Sequence, residues 1–262
     1  MDVLIVGAGT MGRWVADTVD ASVAFADVDE EAAVDAADAV GGEVAPLSAR
    51  ADEYDAVCVA VPLSVVTEAI TDHASRATGA IVDLAGVMGP ALAAMERAPP
   101  DLERVSLHPL FAPDRAPGTV AVVRDEPGPV SDRLLADLER AGNDLVETTA
   151  EEHDTAMESV QAAAHAAVVA FALAAEPVPE ALETPVYASL RELTERITAG
   201  TPRVYADIQA AFDGSRAVAE AAARVADADP DELETLLCEA GDRWAGANDG
   251  PSSRSWSRGE SR

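Results

Sequence analysis

The chain has 262 residues, 48% of them hydrophobic, enough for one large or two ordinary domains with cores of their own. Its 48 acidic and 18 basic residues leave a formal net charge of −30, and every basic residue is arginine. Phosphate binding needs a basic patch, so nucleic acid and anionic membrane surfaces are not expected partners.

The first half alternates strand and helix signals. Val3 to Val6 reads as a short buried strand, Met11 to Val19 as a helix, and Ser22 to Ala26 as a second strand. Glu30 to Val40 is an alanine-rich helix ended by Gly41 and Gly42, with Asp29 as its N-cap. Strands recur at 56–61, 80–84, 105–107 and 119–123. This alternation predicts a parallel sheet with helices on both faces. Near residue 148 the pattern changes and no further strand is expected. Thr149 and Glu152 have capping-box spacing, and a long helix is predicted from there to about Ala175, before Pro177 and Pro179. Further helices are expected at roughly 185–200, 203–227 and 230–245. The fold class is therefore α/β: an N-terminal doubly wound parallel sheet (1–148), an all-helical C-terminal domain (149–246), and a disordered tail (247–262).

Cys58 lies in an apolar run and reads as core, Cys238 is far away in sequence, and no disulfide framework or metal-ligand spacing exists. The N-terminus enters a strand without a cleavable signal pattern, and no apolar run looks long enough to span a membrane. A cytoplasmic location is expected. The acid is spread along the whole chain. Net charge keeps a protein soluble, and strong screening removes its self-repulsion, so a high-salt cytoplasm explains the composition. The alternative is an acidic protein from an ordinary cytoplasm.

Gly7-Ala-Gly-Thr-Met-Gly12 follows a strand and opens a helix, and the next strand ends at Asp27, twenty residues after Gly7. That context makes it a Rossmann-type dinucleotide fingerprint. Gly7 permits the tight turn, Gly9 lets a pyrophosphate approach the backbone, and Gly12 allows close helix–strand packing. The helix N-terminus offers amides and partial positive charge to the phosphates. Asp27 would accept hydrogen bonds from ribose hydroxyls and repel a 2′-phosphate, which favours NAD over NADP. Thr10, Met11, Val61 and Pro62 complete the expected cofactor-binding set. The alternative is a glycine turn without a ligand.

In the long helix Asp154, Glu158, Gln161 and His165 fall at offsets 0, 4, 7 and 11, on one helical face. Two readings compete, a solvated face and a polar stripe lining a pocket. The surrounding alanines favour the pocket for Asp154, Gln161 and His165. Glu158 reads as surface, and His153, one residue off the stripe, as a surface or capping residue.

The segment His108-Pro-Leu-Phe-Ala-Pro113, with Glu152-His-Asp154, Gln161, His165, Thr184-Pro-Val-Tyr187, Glu195-Arg-Ile197 and Pro202-Arg-Val-Tyr-Ala-Asp-Ile-Gln209, resembles the prephenate dehydrogenases in their archaeal form. The resemblance runs from the glycine loop to about Ala211. It implies NAD-dependent oxidative decarboxylation of prephenate to 4-hydroxyphenylpyruvate, with His108 as the catalytic histidine. It also implies Arg196 as a carboxylate partner, His165, Asp154 and Gln161 at the substrate pocket, Asp114 at its entrance pairing with Arg196, Tyr205 near the substrate, and a homodimer through the helical domain. Without the motif His108 reads equally as a core or turn histidine, and Arg196 as a surface residue pairing with Glu192 or Glu195. The sequence departs from the family at Gly86 and Met88, where many relatives carry serine and lysine, and at Leu193, where many carry an acid. These departures leave prephenate and arogenate open as substrates. Another two-domain dehydrogenase is an alternative, but those acting on hydroxyacids usually rely on a helix lysine, and this chain has none. A non-catalytic NAD sensor is an alternative of a different class.

Overall fold

The computed structural model describes residues 1–48 and 52–248. The chain divides into two compact units, with the division between Thr155 and Ala156.

The first unit is built on an eight-stranded sheet. Its strands are β1 (Asp2–Val6), β2 (Ser22–Ala26), β3 (Glu43–Val44), β4 (Tyr54–Val59), β5 (Ala77–Asp83), β6 (Glu103–Pro109), β7 (Thr119–Glu126) and β8 (Asp144–Glu147). They lie in the order β3-β2-β1-β4-β5-β6-β7-β8. Every pairing is parallel except β6 with β7, which is antiparallel. The sheet is thus mostly parallel rather than wholly so. Only nine residues separate β6 from β7, fewer than a parallel crossover needs. The chain order reverses between β1 and β4, the switch point at which doubly wound sheets bind nucleotides.

Helices α1 (Thr10–Thr18), α2 (Glu30–Val40), α3 (Val66–His73), α4 (Met88–Met95) and α5 (Pro129–Arg140) cover both faces. The even and odd residues of the buried strands feed two cores. Val3, Ile5, Phe25 and Cys58 pack with Val15, Ala36 and Leu134 on one side. Leu4, Val57 and Ile81 pack with Ile70, Met88 and Met95 on the other. Cys58 is buried, as its run implies, and Cys238 is exposed.

From residue 149 the described residues form helices only. The capping box forms: Glu152 N–H donates to Thr149 Oγ1 at 3.2 Å and Thr149 N–H to Glu152 Oε2 at 3.4 Å. Helix α6 (Ala150–Met157) continues through a π turn (Glu158–Ala163) into α7 (Ala164–Ala174). This continuous helix, Ala150–Ala174, is long and apolar enough to cross a membrane by length and composition, which corrects the expectation that no such run exists. Its first turns are acidic and capped, and His153 within them is buried in the first unit.

Next come α8 (Pro185–Thr198), α9 (Pro202–Ala211), α10 (Gly214–Asp227) and α11 (Pro230–Asn248). The single helix expected over 203–227 is therefore two. Gly214 marks the break: its missing Cβ lets the chain abut the carbonyl of Glu158 and the amide of Ala163 in the π turn. The tail expected from 247 begins within α11 and lies, from 249 on, outside the described residues.

Candidate active site

The glycine loop sits where β1 ends and α1 begins. Gly7 has φ +108°, a left-handed conformation, and a Cβ there would run into the Ala60 carbonyl. A Cβ on Gly12 would collide with the Gly7 carbonyl. Gly9 differs: its Cβ would meet nothing within 4 Å. Open space beside an exposed glycine at a helix N-terminus is what a pyrophosphate requires.

Asp27 follows the last residue of β2, beside this loop. Its Oδ2 accepts from Ala8 N–H at 2.6 Å and its Oδ1 from Asp29 N–H at 2.9 Å. The carboxylate thus braces the loop and stays half-buried. Asp29 caps α2 by accepting from Glu31 and Ala32 amides, as its position implies. Thr10 and Met11 open α1, while Val61 and Pro62 follow β4, and Val61 Cγ1 lies against Gly7. The donor set suits a dinucleotide with free ribose hydroxyls.

His108 lies near the end of β6, opposite Ala121 on β7. It is 7% exposed. Its Nδ1 lies 2.9 Å from His153 Nε2, and His153 Nδ1 lies 2.8 Å from Asp154 Oδ1. The two rings meet edge to face. Asp154 Oδ1 also accepts from Met88 N–H at 2.9 Å, and its Oδ2 from Gly89 N–H at 3.0 Å. The carboxylate therefore sits on the N-terminus of α4, where amides and dipole favour negative charge.

His153 is 4% exposed, which corrects its reading as a surface or capping residue. Sequence reasoning missed it because its partner is 45 residues away. The available signal was the adjoining pair His153-Asp154 itself, a histidine next to a carboxylate at the start of an apolar helix.

The electrostatics follow from this packing. Burial drives the His108 imidazole down to about 3, and His153 adds to the effect while Asp154 opposes it. Burial pushes Asp154 up, but the hydrogen bonds from His153, Met88 and Gly89 outweigh it and hold the carboxyl below its usual range. Asp83, at the end of β5, is fully buried, and burial raises its carboxyl to about 7. The arrangement can offer a neutral imidazole as a hydrogen-bond and proton acceptor at ordinary pH.

Asp114 is exposed on a short 3-10 turn, Pro113–Arg115. In the second unit His165 and Tyr205 pack edge to face with centroids 5.0 Å apart. Burial lowers the His165 imidazole, and its Nδ1 is buried with no hydrogen-bond partner among the described residues. Gln161 is half-buried in the π turn. That turn breaks the offset arithmetic: 3.6 residues per turn does not hold through Glu158–Ala163, so one uninterrupted face does not run from Asp154 to His165. Gln209 Nε2 donates to the Ala162 carbonyl at 2.9 Å, within the π turn.

Arg196 is exposed on α8. Glu195, one of its alternative partners, pairs instead with Arg191 at 2.8 Å, and no ion pair of Arg196 forms among the described residues.

No family model matches the sequence. A 4-amino-4-deoxyprephenate dehydrogenase of Streptomyces pristinaespiralis is 33% identical over 247 residues, covering 85% of this chain and 81% of that protein. Among solved structures, prephenate dehydrogenase from A. aeolicus, in complex with hydroxyphenyl propionate and NAD+, aligns with a TM-score of 0.66 at 17% identity, over 94% of this chain and 98% of its own. Synechocystis arogenate dehydrogenase aligns with a TM-score of 0.58 at 17% identity, over 94% of this chain and 99% of its own. At those identities the structural likeness speaks for the fold.

Proposed function

Since this chain belongs to the prephenate dehydrogenase family, we propose that it catalyses the NAD-dependent oxidative decarboxylation of prephenate to 4-hydroxyphenylpyruvate. The observation that carries the reading is His108, a buried, neutral imidazole at a strand end, backed by a second histidine and a carboxylate. Bound at the glycine loop, NAD supplies the hydride acceptor. Hydride leaves ring C4, the electrons of the C1–carboxylate bond enter the ring, carbon dioxide departs, and the hydroxyl stays as a phenol. Positive charge develops at C4 and its oxygen as hydride leaves. An imidazole nitrogen accepting that hydroxyl's hydrogen bond stabilises the charge where it forms.

Gly7, Gly9, Thr10, Met11, Gly12, Asp27, Val61 and Pro62 hold the cofactor in this reading. Arg196 takes a substrate carboxylate through its planar fork, and His165, Gln161, Tyr205 and Asp114 contact the rest. Asp154 acts through His153.

A second reading has a specific observation in its favour: the 33%-identical relative is named for a substrate with a C4 amine. An ammonium group has no lone pair to stabilise C4, so an amine substrate must lose a proton before hydride can leave. His108 would then accept a hydrogen bond from the neutral amine.

Assembly as a homodimer through the helical unit is supported by the apolar face of α7, where Leu173 is 84% exposed. A cytoplasmic, high-salt setting is supported by the acidic composition, and neither membrane nor nucleic acid is proposed as a partner.

The test is NADH formation in molar potassium chloride with prephenate, arogenate and 4-amino-4-deoxyprephenate, using wild type and His108→Asn. Prephenate turnover, lost by about 10²-fold or more in the variant, is expected. Turnover of the amine alone would move the reading to the second substrate. NAD binding without turnover of any would leave a sensor.

A further inference from the structure

The hydrogen-bond chain His108–His153–Asp154 has a direction, and that direction decides which nitrogen His108 offers. Asp154 is ionised, with three donors on its two oxygens: Met88 N–H, Gly89 N–H and His153 Nδ1. A carboxylate can only accept, so His153 Nδ1 carries a proton. A neutral imidazole has one proton, which leaves His153 Nε2 as an acceptor. The atom within reach of it is His108 Nδ1, at 2.9 Å. That nitrogen must therefore donate, and in a neutral ring Nε2 becomes the acceptor.

We propose that His153 is a positioning residue: anchored by Asp154 on the N-terminus of α4, it locks His108 in the Nδ1–H tautomer, so that Nε2 is the nitrogen that receives the substrate's C4 substituent. The proposal rests on the function argued above for His108. It makes Asp154 an anchor two steps from the chemistry rather than a substrate ligand. The placement supports this. Both histidines are more than nine-tenths buried, so water does not compete for the link. The anchoring amides belong to the backbone and cannot rotate away.

Direction is the vulnerable point. If His153 carried two protons, its Nε2 would donate to His108 Nδ1, and His108 Nε2 would become a donor, useless to a hydroxyl that must itself donate. The charged group that acts on His108 beside His153 is Asp154 on α6, and its charge also helps to raise the carboxyl of Asp83 on β5.

Nitrogen NMR of protein with labelled histidine tests the idea without substrate, so its outcome is separate from that of the turnover assay. The chain has only four histidines, His73, His108, His153 and His165, so assignment by single substitutions is practical. At pH 8, His108 is expected to show a protonated Nδ1 and a bare Nε2. His153→Gln keeps an acceptor where Nε2 stood, and His153→Met keeps the volume without one. The Gln variant should retain the tautomer and most of kcat. The Met variant should populate the opposite tautomer and lose about 10²-fold in kcat, with KM for NAD unchanged. A wild-type His108 protonated at Nε2 overturns the proposal. So does a folded Met variant with unaltered tautomer and kcat.

Discussion

Gly9 and Asp83 show how single residues divide between fold and function. Gly7 and Gly12 are required by packing, because a Cβ at either would strike backbone. Gly9 has extended backbone, φ −72°, and open space where its Cβ would go. Gly9→Ala is therefore expected to leave Tm nearly unchanged and to weaken NAD binding by about 10-fold or more. Thermal unfolding and calorimetric titration of the same preparation check both halves. Asp83 gives a pH prediction. Its folded carboxyl, at about 7, lies above its value in the unfolded chain. Between about pH 4 and pH 7 the unfolded state loses this proton first, so wild-type stability falls as pH rises through that window. Asp83→Asn removes this term, so its stability relative to wild type should improve from pH 4 to pH 8 in urea unfolding. A pH-independent difference would show that Asp83 is ionised in the folded protein. Among single residues, the sequence made legible whatever depends on near neighbours: the glycine spacing, Asp29 as a cap, Asp27 at the strand end. His153 was illegible because the strand that receives it lies far away in the chain.

The long helix is the element on which most depends. Its start was readable, since a capping box is a local pattern, and the observed bonds follow it. Thr149→Ala should cost about 1 kcal/mol of stability by loss of the cap. It should also loosen the turn that carries His153 and Asp154, and kcat should fall with it. Equal losses in a variant of the distant cap Thr184, which accepts from Tyr187 N–H, would mean general destabilisation instead. The π turn was not readable. Glu158–Ala163 has ordinary helix-forming composition, and its widened backbone is accompanied by tertiary contacts: Gly214 packs against it and Gln209 donates to its Ala162 carbonyl. The short edge strands β3 and β8 escaped for a similar reason. β3 is two residues long, and β8 is only four, two apolar residues between two acids, a run too short to separate from a turn.

At the scale of the whole molecule, the periodicity of the sequence changes once, near residue 148, from strand–helix alternation to helix alone. The structure places the compact-unit division a little later, after Thr155, inside a helix whose hydrogen bonding runs on without a break in sequence grammar. The charge makes its own prediction. With −30 on 262 residues, repulsion between carboxylates opposes the compact state at low salt. Screening shortens from about 10 Å at 0.1 M to about 3 Å at 1 M. Raising potassium chloride over that range should raise Tm, and a flat or falling Tm would contradict the high-salt reading.

The central claim is that ring oxidation and loss of carbon dioxide occur together in this site. The most direct measurement is the stoichiometry of NADH and carbon dioxide from prephenate, with the organic product identified. One NADH per carbon dioxide, with 4-hydroxyphenylpyruvate as product, is the predicted result. Carbon dioxide without NADH, accompanied by phenylpyruvate from loss of the ring hydroxyl, would contradict the account, because the site would then be promoting aromatisation without oxidation.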